Sequence, residues 1–192
     1  MRILSAALIV LLLAACQDPA PLPPKEPLEF TGPGYTLNVA SISVVQDYKS
    51  PKTLPNVEHL SDITPAQAVK RWAGVRLTAA GHENTLEVDI KDASIVKTEL
   101  PKQKTGIEGM LTNEQTEKYD GTVSVAIKIY NPQRILPIAH LDVTVQRSLT
   151  LPENAAPIDR ERAYHRLTID LVRALEPELD TNIHRYLGGY LL

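Results

Sequence analysis

The chain has 192 residues, of which 43% are hydrophobic and 22% are charged, a composition typical of a folded protein rather than a largely disordered one. Its 20 Lys and Arg residues and 23 Asp and Glu residues give a formal net charge of −3, which does not favour a nucleic-acid-binding protein. The single cysteine, Cys16, excludes an intramolecular disulfide framework and any metal site built from several cysteines.

The first 15 residues have the features of an export signal. Arg2 provides the positive charge, and an apolar stretch follows over Ile3–Leu13, interrupted only by Ser5. As a helix, residues 3–15 would span about 20 Å, which is too short for a bilayer core of about 30 Å. The pattern therefore predicts a signal peptide over residues 1–15 rather than a transmembrane helix.

The residues around the cysteine, Leu13-Ala14-Ala15-Cys16, resemble the lipobox of bacterial lipoproteins. This resemblance implies cleavage before Cys16, a diacylglyceryl group on its sulfur and acylation of its new amino group. Two or three acyl chains anchor a protein stably, at about 0.8 kcal/mol per buried methylene. The alternative is an ordinary secretory signal followed by a chance cysteine. Gln17 stands where an Asp would resemble an inner-membrane retention signal, which favours an outer-membrane lipoprotein that faces the periplasm.

Five prolines lie within Asp18–Pro27. Because proline lacks a backbone donor and has a restricted φ, this segment is expected to be an extended, semi-rigid tether. We therefore divide the chain into the signal peptide 1–15, the lipidated cysteine and tether 16–34, and a single domain 35–192. A proline-rich ligand for a partner module is the alternative interpretation of the tether.

The first half of the domain predicts a strand followed by a helix. Residues Tyr35–Val45 alternate as in a strand, and Thr64, Pro65 and Gln67 form the N-cap, first position and capping box of a helix expected to end at Gly81. On this helix, Trp72 is expected to face the core.

Three further strands are predicted. Residues Leu86–Ile90 alternate and then change parity, which suggests a bulge near Asp92, and Pro101–Gly121 is interpreted as a long hairpin connection. The other two strands are centred on Val123–Ile129, in which Ile127 is expected to be buried, and on Ala139–Val145.

A long helix is predicted after Pro157, with Asp159 in its first turn and a kink or break at Pro177. The resulting order, β-α-β-β-β-α, predicts an α+β fold. We expect a two-layer sandwich in which both helices cover one face of a four-stranded, mainly antiparallel sheet.

No motif for catalysis, metal binding or cofactor binding is present in the sequence. The chain has no His-Glu-x-x-His, no Gly-x-Ser-x-Gly and no nucleotide-binding glycine loop, so we predict no catalytic residue, no metal ligand and no cofactor. His140, His165 and His184 are interpreted as surface residues.

Two segments are candidate partner contacts. Ile107, Met110 and Leu111 lie in an otherwise polar loop, where they either fold back onto the core or form an exposed contact. The charged run Asp159–Arg162 is interpreted as a solvated helix face and is the second candidate.

The lipobox and the order of elements resemble the auxiliary lipoproteins of ABC-type transport systems and the lipopolysaccharide-assembly lipoprotein LptE. The resemblance implies a non-catalytic accessory or assembly subunit of a membrane transport complex. Its expected partners are the membrane, through the lipid, and an envelope membrane-protein complex, with no role for nucleic acid. Two alternatives are a periplasmic lipid-carrying module and an envelope enzyme with a dispersed active site.

Lipidation of Cys16 is directly testable. Mass spectrometry of the mature N-terminus is expected to show a diacylglyceryl-modified, N-acylated cysteine, and Cys16→Ser is expected to abolish lipid labelling. An unmodified cysteine in the wild-type protein would contradict the prediction.

Overall fold

The structure, a computed structural model, describes residues 23–101, 115–152 and 154–192. It contains six strands and two α-helices, together with short 3-10 helices at Glu58–Leu60 and Gly188–Tyr190. In chain order the elements are β1 (Tyr35–Leu37), β2 (Ser41–Gln46), α1 (Pro65–Arg76), β3 (Leu77–Ala79), β4 (Thr85–Glu99), β5 (Gln115–Tyr130), β6 (Ala139–Pro152) and α2 (Pro157–Leu187).

The main sheet has four strands in the order β2-β4-β5-β6. Strands β4, β5 and β6 form an antiparallel meander, whereas β2 pairs with β4 in parallel. A parallel pair needs a crossover connection, and α1 lies within the segment that joins β2 to β4. Since α1 and α2 pack against the sheet and against each other, the predicted α+β class is confirmed. The four strands of the main sheet and the two helices follow the predicted order β-α-β-β-β-α, and the small sheet formed by β1 and β3 is additional.

The start of α1 is confirmed in detail. The Gln67 amide donates to Thr64 Oγ1 at 3.2 Å, the Thr64 amide donates to Gln67 Oε1 at 2.9 Å, and Pro65 occupies the first position. This capping box satisfies two backbone donors that the helix itself leaves without partners. Trp72 is almost fully buried, as expected.

The predicted bulge lies between Ile90 and Asp92, where the pairing of β4 with β5 shifts register. The extra residue explains the change of parity in the sequence. It keeps Ala93 and Ile95 on the same buried face as Val88 and Ile90.

Two boundaries in the first half of the domain differ from the prediction. The single strand expected over Tyr35–Val45 is divided into β1, which pairs with β3, and β2, which joins the main sheet. Helix α1 ends at Arg76 rather than near Gly81, because Leu77 already has extended backbone and starts β3. At Gly81 a Cβ would lie 2.6 Å from the Val39 nitrogen, so this glycine permits a close approach of two backbone segments.

The predicted hairpin connection is too long at its C-terminal end. Strand β5 begins at Gln115, so residues 115–121 belong to the sheet. Gly121 lies opposite Ile95 within β5, where a Cβ would come within 2.8 Å of Leu171 Cδ1. The glycine that suggested a loop instead allows α2 to approach the sheet closely.

Helix α2 is continuous from Pro157 to Leu187, so the expected break at Pro177 does not occur. Leu175 and Leu179, on either side of the proline, are both buried. Core packing on both sides therefore outweighs the hydrogen bond that proline removes. The expected place of Asp159 in the first turn is confirmed, because its side chain accepts from the Ala156 amide at 2.9 Å.

The face of the sheet opposite the helices carries a charged group that alternation alone does not reveal. Asp89 is only 2% exposed, and its carboxylate binds Lys128 Nζ at 2.9 Å and Lys91 Nζ at 2.5 Å. Burial works to raise the pKa of Asp89, but hydrogen bonds from the two lysines outweigh it and hold this pKa below its usual value. Lys128 therefore pairs with a buried carboxylate, and its substitution is expected to affect stability.

Burial of Ile127 is confirmed, since its side chain is fully covered between the sheet and the helices. We predict that Ile127→Ala lowers the free energy of unfolding by about 2–5 kcal/mol, because it leaves a cavity in the core. The matched control is Ile135→Ala, since Ile135 is 97% exposed and should change stability by less than about 0.5 kcal/mol. Denaturant unfolding measures both, and equal losses would contradict the prediction.

Candidate functional site

The most exposed apolar side chains of the described chain lie in the connection between β5 and β6, which we call the distal tip (residues 131–138). Ile135 is 97% exposed and Leu136 is 75% exposed. The turn is stabilised by Asn131, whose carbonyl accepts from the Arg134 amide and whose side chain accepts from the Gln133 amide, both at 2.9 Å. A stable turn therefore presents two large apolar side chains to solvent.

The distal tip lies at the same end of the domain as the C-terminus of α2. Asn131 Nδ2 donates to Asn84 Oδ1 at 3.0 Å, which connects the tip to the segment that precedes β4. A cavity of about 350 Å³ adjoins this segment, and its walls include Tyr190, just after α2. The full lining is Asn38, His82, Glu83, Asn84, Gly189 and Tyr190.

The opposite end of the domain is held by a group of charged residues around Glu117. Arg160, at the start of α2, binds Glu117 through Nε at 2.9 Å and Nη2 at 3.2 Å. Lys97 Nζ lies 2.8 Å from Glu117 Oε1, and the Tyr119 hydroxyl donates to Oε2 at 2.8 Å. Burial works to raise the pKa of Glu117, but these donors outweigh it and lower the pKa to about 2.

The N-terminal segment 23–31, which we call the strap, lies along α2 and begins near this charged end. Arg162 Nη2 donates to the Pro23 carbonyl at 2.7 Å, within the first turns of the helix. Two residues later in the strap, Lys25 Nζ binds Glu161 Oε1 at 2.6 Å and Asp62 Oδ2 at 3.1 Å. The part of the predicted tether that the structure describes is thus in contact with the domain.

Beneath the end of the strap, α1, β1 and α2 meet at a second group of polar side chains. The Arg76 guanidinium lies 5.7 Å from the centre of the Tyr35 ring, and its Nε lies 3.9 Å from Glu176 Oε1. The Tyr35 hydroxyl donates to Asp180 at 2.5 Å. Burial, followed by the hydrogen bond to Asp180, raises the pKa of Tyr35 to about 12. These contacts join three elements.

The two ends of the domain are separated by the length of α2. A helix of 31 residues, from Pro157 to Leu187, spans about 46 Å. The strap begins near the N-terminus of α2, where Pro23 contacts Arg162, and runs along the helix as far as Glu176. The distal tip lies near the C-terminus of α2, so the start of the strap and the tip lie about 40 Å apart.

The structure tests only some of the residues singled out in the sequence. Cys16 and the loop residues Ile107, Met110 and Leu111 lie outside the described residues. The run Asp159–Arg162 is not simply a solvated face, because Arg160, Glu161 and Arg162 contact other segments of the same chain.

The interpretation of His165 as a surface residue is wrong. Its side chain is only 7% exposed, since the strap and Asp62 cover it. His140 and His184 are exposed, as expected.

Sequence reasoning missed the distal tip, because it considered the strands centred on Val123–Ile129 and Ala139–Val145 and not the connection between them. The available signal was two large apolar residues, Ile135 and Leu136, enclosed between Pro132 and Pro137. Apolar residues inside such a short turn have no strand or helix face through which to reach a core.

Among the described residues, no group of three His, Cys, Asp or Glu side chains is arranged to hold a metal ion. No helix in the part of the chain that the structure covers combines the length and apolar character needed to cross a membrane.

Comparison with known proteins finds no matching family model and no significant match among curated proteins. Weak likenesses to solved structures include a minor lipoprotein from Acinetobacter baumannii, at 10% identity over 78% of this chain and 96% of that chain, with a TM-score of 0.43. Rare lipoprotein B from Shewanella oneidensis matches at 12% identity over 75% and 97% of the two chains, with a TM-score of 0.37. An uncharacterized lipoprotein B from Nitrosomonas europaea matches at 13% identity over 79% and 88%, with a TM-score of 0.36. Likeness at this level does not assign a function.

The Glu117 group predicts a loss of stability in acid. Because the pKa of Glu117 is about 2 when folded and about 4.5 when unfolded, its contribution is complete above about pH 4.5 and disappears as the pH falls towards 2. We predict that Glu117→Gln lowers the free energy of unfolding by about 2–3 kcal/mol at pH 7 and by almost nothing near pH 2.

The matched control is Glu99→Gln, because the Glu99 side chain is 86% exposed and lies on the neighbouring strand. Its substitution should leave stability nearly unchanged at every pH. If Glu117→Gln lowered the free energy of unfolding equally at pH 2 and pH 7, the lowered pKa of Glu117 would be contradicted.

Proposed function

We propose that this protein is a lipid-anchored, non-catalytic accessory or assembly subunit of an envelope transport complex, attached through Cys16 and acting by contact with a membrane-associated protein. The lipobox supports the anchor. The observation that carries the contact is the distal tip, where Ile135 and Leu136 are exposed at the end of the domain opposite Pro23, the start of the strap.

The position of the strap determines which end of the domain lies close to the membrane anchor. Residues 17–23 span at most about 25 Å, so the N-terminal end of α2 stays close to a lipid on Cys16. The distal tip lies about 40 Å farther along the domain. This arrangement leaves the tip free to reach a protein beyond the surface of the bilayer.

The chemistry of the tip suits a protein partner. Full burial of one aliphatic side chain is worth about 1.5–3 kcal/mol, and here two adjacent side chains remain in water. A pocket on a partner protein that receives both side chains would remove them from water and gain this free energy. The neighbouring Arg134 adds a positive charge that an acidic residue of the partner would match.

The loop that contains Ile107, Met110 and Leu111 is a second candidate contact. It connects β4 to β5 at the end of the domain where α2 begins, since Leu100 pairs with Thr116 there. If the anchor holds this end near the bilayer, the described residues that flank the loop, Pro101 and Gln115, lie close to the membrane or to a membrane-embedded partner. The two candidate contacts would then serve different neighbours.

Neither alternative function is favoured by a specific observation. Three cavities of the described chain, of about 180–350 Å³, have mainly polar or charged linings, which do not suit an acyl chain. The buried titratable groups around Glu117 and Asp89 are held by ion pairs within the domain, which accounts for them as structural contacts. A lipid carrier and an enzyme remain rival hypotheses.

Pull-down of the full chain from detergent-solubilised membranes tests the proposal. We expect Ile135→Ser combined with Leu136→Ser to release a membrane-protein partner while leaving the melting temperature within about 2 °C of the wild type. The control is Val75→Ser, since Val75 is 65% exposed on α1, and it should retain the partner.

The outcomes separate the two candidate contacts. Retention of the partner by the tip variant, with release after triple substitution of Ile107, Met110 and Leu111 to Ser, would move the contact to the loop. A sharp fall in the melting temperature of the tip variant would show that the tip supports the fold instead.

A further inference from the structure

The strap is attached to the domain mainly through charged and polar contacts. Apart from Lys25 and the Pro23 carbonyl, the Glu26 carboxylate pairs with Arg173 and the Thr31 amide donates to Glu176 Oε2 at 3.2 Å. Leu28 and Phe30 are the only partly buried apolar side chains of the strap, and of these Phe30 packs against the core. The segment that precedes Phe30 therefore depends on electrostatics more than on apolar burial.

One buried histidine lies beneath the strap and has an acceptor at each of its two ring nitrogens. His165 Nδ1 lies 2.8 Å from Asp62 Oδ1, and its Nε2 lies 2.6 Å from the Glu26 carbonyl oxygen. A carboxylate and a carbonyl both accept, so each contact requires an N–H from the ring. A neutral imidazole has one N–H, and only the imidazolium has two. The docked strap therefore matches the protonated form of His165.

The charges that face His165 come from three segments. Asp62 approaches from the loop before α1, Lys25 and Glu26 approach from the strap, and Glu161, Arg162 and Arg166 belong to α2 itself. The Asp62 carboxylate contacts both Lys25 and His165. Burial works to raise the pKa of Asp62, but hydrogen bonds from His165 and Lys25 outweigh it and keep the pKa below its usual value. Asp62 thus stays ionised and connects Lys25 to the His165 ring.

We propose that residues 23–31 form a pH-sensitive strap, latched to α2 by His165, whose release lengthens the connection between the membrane anchor and the domain. The second half of this statement rests on the proposed lipidation of Cys16. Loss of a proton from His165 removes one of its two donors, so either Asp62 or the Glu26 carbonyl loses its partner. Histidine is the side chain that changes charge between pH 5 and 8, so the strap docks on the acidic side of this range and loosens on the basic side.

Release of the strap changes the distance that the domain can move from the anchor, and it changes which side chains are exposed. With the strap docked, the domain is held at Pro23, and residues 17–23 span at most about 25 Å. With the strap detached up to Thr31, residues 17–31 span up to about 50 Å. Release also uncovers Ile169, which is 4% exposed and lines the cavity between the strap and α2.

Amine labelling of Lys25 in the full chain, in detergent micelles, tests the latch. The readout is the labelling rate of Lys25 relative to that of Lys52, an exposed lysine, so that the intrinsic pH dependence of the reagent cancels. We expect this ratio to rise about tenfold from pH 6 to pH 8, because the ion pairs of Lys25 loosen with the strap. In His165→Gln the ratio should not depend on pH. His140→Gln, the same substitution at an exposed position on β6, should retain the wild-type rise.

A second measurement needs no substitution. The ring nitrogens of His165, observed by NMR in the wild-type protein, should show the doubly protonated form at pH 6 and its loss in parallel with the rise in Lys25 labelling. An unchanged labelling ratio in the wild type, a rise that persists in His165→Gln, or a neutral ring at pH 6 would each overturn the proposal. Because none of these readouts requires the acyl chains, an unlipidated Cys16 would refute the anchor without affecting this result.

Discussion

The close packing of α2 against β5 and β6 is the contact on which the rest of the structure depends. It is possible because Gly121 leaves space where a Cβ would lie 2.8 Å from Leu171 and 3.2 Å from Leu167. The helix covers most of the length of the meander, so its two ends determine what is brought together at each end of the domain. Its first turns contact Glu117 and the start of the strap. Its C-terminal residues lie beside the segment that contacts the distal tip through Asn84.

This geometry relates the two halves of the proposed function. An anchored protein that works by contact needs one end near the membrane and an accessible surface elsewhere. The start of the strap at Pro23 and the distal tip meet this need, because they lie at opposite ends of α2, about 40 Å apart. The contacts at the two ends also differ in kind, since ion pairs hold the strap whereas aliphatic side chains are exposed at the tip.

The charged groups respond to pH in opposite directions. Glu117 has a lowered pKa, so its contribution to stability is lost as the pH falls well below 4.5. The proposed latch has the opposite sign, because two acceptors face the His165 ring and a ring with one N–H satisfies only one of them. The contacts of ionised Glu117 are therefore intact throughout the pH range in which the strap is proposed to move.

The sequence by itself determined those features that depend on local spacing. Thr64, Pro65 and Gln67 predicted the start of α1 because a capping box is contained within four residues. Alternation predicted the buried face of the meander and the bulge after Ile90, since neighbouring side chains of a strand point to opposite faces. The order of elements followed from these patterns, and with it the α+β class.

Only the tertiary structure decided the features that depend on contacts between distant segments. His165 is 139 residues from Glu26 and 103 from Asp62, so nothing in its helical surroundings indicated burial. The same holds for Asp89, which is buried by lysines on its own and the next strand, and for Gly121, whose role depends on α2. A glycine or a charged residue has the same local pattern in a loop, on a surface or under a helix. Which of these it occupies is decided by the segment that packs against it, and that segment lies far away in the chain.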